Sequence, residues 1–376
     1  AASDVYKRQM KENLEKRQSE VIAAMRFPLM VLLLFAHVLP MTSIPIEMNF
    51  SEMNVYHLFS EGISHNLSRI RNPLFFFFSG FFFFRKLEKW SLDFYHLQLK
   101  KRVISLLLPY LLWNILMILA VYIKNYAFIF LFSMEPGEEL QEVRNNSLYM
   151  LFWHTPVNYP LWFLRDLICM SALSPLFYAF FKYLKIYGLL ILLALYLSVW
   201  ETNIAGLSMT AIMFFGAGSY MGIYKKNVLA FCSKFRYVTA IITLMFLCCA
   251  IICNGRELHA YIVRIYILFG IITAFNLMDW LIDKESWKNL FCKLSATVFF
   301  IYAAHEIYII NWTKGFFSRT SLADSGGGLM LSYLLIPFIT LGVCLGLYYF
   351  LNRMAPNMLA LLVGGRMKTQ IIRNSK

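Results

Sequence analysis

Charge is scarce in this 376-residue chain: 15% of residues are Asp, Glu, Lys or Arg, where soluble domains carry about a quarter. No long polar segment interrupts it, so a soluble domain hung on one or two anchors is excluded. Seven cysteines occur without a single CxxC pair, nearly all in or beside apolar runs. They read as small buried hydrophobes, and neither disulfides nor a metal centre is expected. His57, His65, His96, His154 and His259 have no ligand spacing. A GxSxG elbow, a Walker loop and a dinucleotide fingerprint are all lacking.

What the chain has instead is apolar length. Hydrophobic residues make up 59%, Phe alone contributes 35, and the mean hydropathy is +0.59. A bilayer core takes about 20 helical residues to cross. Runs of that order fall at 22–39, 70–84, 103–123, 159–181, 186–200, 207–224, 237–253, 260–281, 294–311 and 329–351. The expected fold is all-α, a polytopic membrane bundle of about ten transmembrane helices. One membrane domain over 22–351 follows, with a cytoplasmic N-terminal segment at 10–21 and a cytoplasmic tail at 352–376. The opening residues 1–9 resemble translated adaptor sequence and are set aside as a non-native leader.

Net charge is +14, but nucleic acid is not the expected partner, because the basic residues sit in short loops between spans. With both termini cytoplasmic, 25 Lys and Arg fall on the inner side and seven on the outer. That asymmetry obeys the positive-inside rule and sets the orientation. Membrane lipid is thus the first partner, and the bacterial inner membrane the expected location.

Two polar residues stand inside the first span, in "RFPLMVLLLFAH". Arg26 and His37 are eleven positions apart, which is three helical turns plus ~20° and ~16 Å along the axis. Both therefore project from one face, Arg26 towards the cytoplasmic end and His37 in the outer third. Alone, Arg26 reads as a snorkelling arginine and His37 as an interhelical hydrogen bond. Ionisable groups in a membrane default to function, and a pair on one face strengthens that reading.

The same depth reckoning places Arg165 and Asp166 about two turns into the fourth span, and His305 and Glu306 about three turns into the ninth. All four fall near the level of His37. Asp166 or Glu306 would orient an imidazole, and Arg165 or His305 would polarise a carbonyl. The bland alternative is an Arg165–Asp166 ion pair inside the bundle. Trp162 and Tyr302 suit sugar stacking, although belt aromatics are commoner.

An Arg, ten residues and a His in the first span resemble the hallmark of the acyltransferase-3 family of membrane acyltransferases. "NPLFFFFSGFFFFRK" is similar to its second-span Ser-Gly-Phe segment, here Ser79, Gly80 and Phe81. "KKRVISLLLPYLLWN" resembles the family's basic stretch and Pro-Tyr, with Lys101, Arg102, Pro109 and Tyr110. "PLWFLRDL" and "FFIYAAHEIYI", with Tyr302 and His305, follow in order. The resemblance spans about residues 20–350; the basic "YHLQLKKRV" is its loosest match.

The resemblance implies transfer of an acyl group, usually acetyl, from cytoplasmic acetyl-CoA to a carbohydrate or lipid-linked glycan beyond the membrane, with envelope-assembly proteins as further partners. His37 would be the general base or a transient acyl carrier. Arg26, with Arg85, Lys86, Lys101 and Arg102 of the most basic inner loop, would hold the CoA phosphates. His305, Arg165 and Asp166 would assist catalysis, and Trp162, Tyr302 and Glu306 would meet the acceptor. The alternative from another class is a secondary transporter or exporter of a sugar-like solute, which buried charges would serve equally. The lack of an inverted repeat weighs against it.

Overall fold

In a computed structural model, which describes residues 2–47 and 51–365, the described chain is helical and contains no strand. The last eleven residues of the expected cytoplasmic tail, 366–376, and residue 1 of the leader lie outside the described residues. The first helix, α1, runs Ala2–Ala36 and is followed by α2, Glu52–Glu61. Next come α3 (Arg71–Phe84), α4 (Leu92–Arg102) and α5 (Leu108–Phe132), the last two continuous through a wide turn. A short α6, Glu138–Asn145, precedes α7, Trp162–Ala172, and α8, Ser174–Leu197. The second half holds α9 (Met209–Ile223), α10 (Val228–Ser233), α11 (Arg236–Ile252), α12 (His259–Leu281) and α13 (Glu285–Leu294). The chain then forms α14, Val298–Ala304, α15, Ile310–Phe317, α16, Gly326–Met354, and α17, Pro356–Leu362.

Among the described residues, five helical stretches are long and apolar enough to cross a bilayer: Glu12–Ala36, Leu92–Phe132, Ser174–Leu197, His259–Leu281 and Gly326–Met354. A sixth arises if Glu285–Leu294 and Val298–Phe317, bent by 47°, count as one broken span. Every apolar run of the sequence coincides with helix, but several helices are short. The 14 residues of α3 reach only ~21 Å, against a hydrocarbon core of about 30 Å. Between the fourth and fifth runs the sequence places a loop at 182–185, and the chain kinks there: Lys185, at φ 50° and ψ −126°, divides α8 into two helical pieces. The chain is a multi-pass helical membrane bundle.

Helix α1 is the axis of this bundle, packed against α3, α12, α13, α14 and α16. Val21, Ile22, Met25, Leu29, Met30, Leu33 and Leu34 are all buried. Against it stands α3, whose phenylalanines 76, 77, 78, 81, 83 and 84 are buried as well.

The tightest contact is α3 against α9, and glycine makes it possible. A Cβ on Gly80 would land on the Phe215 carbonyl, and one on Gly218 would strike the Phe77 carbonyl. Gly222, one turn beyond Gly218, faces the Phe81 carbonyl in the same way. Without a hydrophobic effect to drive association in lipid, small residues four apart let two backbones close up. Gly80 in the phenylalanine run is thus a packing residue.

Candidate active site

Two polar regions occupy opposite ends of α1. At the Arg26 end a cavity of about 730 Å³ opens between α1, α3 and the turn after α9. Its walls carry five cations: Arg26, Arg85, Lys86, Lys225 and Lys226. Arg26 lies 5.8 Å over the ring of Phe82. Arg85 donates to Ser19 Oγ at 2.8 Å and lies 3.5 Å from the Glu15 carboxylate. Lys226 donates to the Tyr220 hydroxyl at 3.0 Å. The tight turn that delivers this lysine pair puts Lys225 at φ 48°, which is uncommon away from glycine.

Lys101 and Arg102, grouped with Arg85 and Lys86 in the sequence, do not line this cavity. Arg102 donates to the Ser79 carbonyl at 3.3 Å and lies over Phe83, while Lys101 is exposed on α4. The reason is rotational. Phe81, Phe82 and Arg85 share one side of α3, and Phe83 lies ~100° beyond Phe82.

At the other end, His37 terminates α1. Its backbone N–H still donates into the helix, to Leu33 and Leu34, but the last carbonyls of a helix have no internal partner. Here other elements supply them. Ser64 Oγ donates to the Phe35 carbonyl at 2.7 Å and Lys314 Nζ to the His37 carbonyl at 3.1 Å. Farther on, His65 Nε2 bonds the Pro40 carbonyl at 3.0 Å and Asn254 Nδ2 that of Ile44 at 2.8 Å. Glu61 ties this brace together, 2.6 Å from His65 Nδ1 and 2.7 Å from Asn254 Nδ2.

The imidazole so held meets two residues from the break between α14 and α15. His37 Nδ1 and His305 Nε2 each lie 3.7 Å from Glu306 Oε2. The two rings are edge to face with centroids 5.0 Å apart. The break is what presents the pair: Ile307 leaves helical geometry and Tyr308 takes φ 60°, strained for an aromatic residue. Tyr308 is anchored there by its hydroxyl on Glu139 of α6, at 2.7 Å. His305 is fully buried, and its Nδ1 donates to the Ile301 carbonyl at 3.1 Å. That bond leaves Nε2 as the lone-pair nitrogen. Neither Nε2 nor Glu306 Oε2 has a hydrogen-bond partner.

The remaining expected site residues lie elsewhere in the bundle. Arg165 pairs with Asp166 at 2.9 Å and donates to the carbonyls of Trp153 and His154. Asp166 also accepts from Ser208, the residue that caps α9. The pair thus joins α7 to its neighbours. Tyr302 donates to the Pro160 carbonyl at 2.5 Å and is buried against Phe163, and Trp162 sets its edge on the same ring. Tyr302 is thus committed to packing inside the bundle, while Trp162 is half-buried.

A family profile described as an acyltransferase domain matches residues 21–349, nearly the whole membrane bundle. The chain belongs to the acyltransferase-3 family. It is also similar to the succinoglycan biosynthesis protein ExoH of Rhizobium meliloti, with 27% identity over 320 residues, 81% of each chain. No solved structure matches it. The transporter alternative gives way to a membrane acyltransferase.

Two of the seven charges expected in the outer loops also fall at this end of α1. Arg71 and Lys314 stand near enough for their charges to be felt at the His37 ring. Arg71 is held by the Ser68 hydroxyl at 2.8 Å and the Ser68 carbonyl at 2.9 Å, with its Nε buried and unpartnered. Lys225 and Lys226 were likewise counted only as loop charges. No local signal marks any of the four, since each depends on which helices become neighbours.

Proposed function

We propose that this acyltransferase moves an acyl group, acetyl by the family's default, from cytoplasmic acyl-CoA to a hydroxyl of an extracytoplasmic polysaccharide or its lipid-linked precursor. The reading places the chain in the bacterial inner membrane with both termini cytoplasmic and about ten crossings. One observation carries it: a single helix reaches from a five-cation cavity at Arg26 to a half-buried imidazole–carboxylate cluster at His37. Phosphates need cations in forked or point-charge geometry. A thioester on a long pantetheine arm can then lie along the ~16 Å of helix between the two ends. The resemblance to a protein of succinoglycan biosynthesis supports a polysaccharide acceptor.

In the proposed reaction, His37 takes the proton of the acceptor hydroxyl as its oxygen attacks the thioester carbonyl carbon. The C=O electrons move onto oxygen, where Arg71 and Lys314 offer positive charge. Collapse breaks the C–S bond, and the thiolate leaves with the proton that His37 carried. Glu306, 3.7 Å from the ring, offsets the imidazolium formed between the steps.

The test is CoA release from acetyl-CoA by purified protein in nanodiscs, with and without a panel of glycans. Release that depends on one glycan and disappears in His37→Ala supports the reading and identifies the acceptor. Wild-type protein that neither binds nor cleaves acetyl-CoA sinks it.

A further inference from the structure

Three acceptor atoms converge at the end of α1: His37 Nδ1, His305 Nε2 and Glu306 Oε2, all within 4.8 Å of one another. Two of them are buried without a partner, and a lone pair aimed at a carboxylate is repulsive unless a cation lies between. The His305 tautomer is set for this role, because its Nδ1–H is bound to a backbone carbonyl. That is the usual support of a metal-binding histidine.

We infer that His37, His305 and Glu306 form a binding site for a divalent transition-metal ion of the zinc class, and that the bound ion blocks acyl transfer. Two imidazoles and one carboxylate are an established ligand set for such ions, with a fourth position left open. Ligand bonds near 2.0–2.1 Å require ligand atoms about 3.4 Å apart in a tetrahedral site. The two 3.7 Å separations need only a small contraction to reach that. Residues 37 and 305 come from helices far apart in the chain, which is why no ligand spacing is visible in the sequence.

The surrounding charges set the character of the site. Glu306 supplies one negative charge, while Arg71 and Lys314 stand close by and weaken any dication. The ion is therefore exchangeable, not a resident structural metal. Its effect on turnover rests on the proposed function, since it occupies the lone pair that His37 would use as a base. Binding itself does not rest on it.

The experiment is a Co²⁺ titration of tag-free protein in nanodiscs, followed by ligand-field absorption, then Zn²⁺ competition and Zn²⁺ titration of CoA release. Wild type should take up one Co²⁺ with the intense bands of a low-coordinate site, and Zn²⁺ should displace it and inhibit release. His305→Ala and the near-isosteric Glu306→Gln should each weaken Co²⁺ by more than the roughly 10–100-fold that loss of a supporting partner costs. Lys314→Met, which removes a repelling charge, should tighten it. No stoichiometric uptake by wild type, or uptake unchanged in His305→Ala and Glu306→Gln, overturns the inference; a shared proton then fills the gap. Metal uptake without any acyl transfer would leave the site standing and remove the proposed function instead.

Discussion

The two ends of α1 solve different problems with different architecture. At Arg26 the cations line an open cavity of about 730 Å³, and three of them, Lys86, Lys225 and Lys226, are exposed. At His37 the groups are few and almost dry: His305 is fully buried and the helix terminus is braced by Ser64 and Lys314. Recognition of a polyphosphate is long-ranged and tolerates mobile lysines. Proton transfer works only within hydrogen-bond reach, so its groups must be fixed. Rigidity is concentrated where the proposed bond-making occurs.

That contrast can be broken at either end. The largest effect is expected from His37→Ala, which should lower kcat by about 10²–10⁴ while donor binding stays unchanged, as read by CoA release beside calorimetric binding. Next comes the scaffold that both ends share. Gly218→Val forces a side chain against the Phe77 carbonyl, and overpacking of this kind costs about 1–3 kcal/mol or more. The fall in thermal midpoint in detergent should exceed that of Gly342→Val, where nothing lies within 4 Å.

Smaller effects should mark the cavity. Lys225→Ala with Lys226→Ala should raise the donor KM and flatten its dependence on ionic strength, since exposed charges are screened beyond ~8–10 Å at physiological salt; kcat should hold. Smallest of all is Lys101→Ala. This lysine belongs to the same basic loop as Lys86, yet it does not line the cavity, so donor affinity should not move. A loss equal to that of the lysine pair would mean that the basic loop acts as a whole and that the cavity walls are misassigned.

Much of this was legible in the sequence wherever the signal is periodic. The apolar runs at 237–253 and 260–281 fall on Arg236–Ile252 and His259–Leu281, because spans are read from composition one helix at a time. Arg26 and His37 share a helix, so their spacing alone gave a face and a distance. Depth reckoning put His305 and Glu306 near the level of His37, and the structure brings both to within 3.7 Å of contact partners there. The same reckoning put Arg165 and Asp166 at that level, yet they bond to each other, to Ser208 and to nearby carbonyls. Depth fixes one coordinate and leaves the azimuth open. Lys225, Lys226, Arg71 and Lys314 were invisible as site residues for that reason, as were the rotation that parts Arg102 from Arg85 and the converging acceptors at His305.

The most direct test of a helix that binds at one end and reacts at the other is a paired measurement in nanodiscs. Acetyl-CoA affinity and the rate of CoA release are determined separately for Arg26→Ala and His37→Ala. The account predicts that Arg26→Ala weakens affinity, while His37→Ala leaves affinity intact and abolishes release. If His37→Ala still releases CoA at the wild-type rate, or if both substitutions change affinity alone, the division of labour along α1 is wrong.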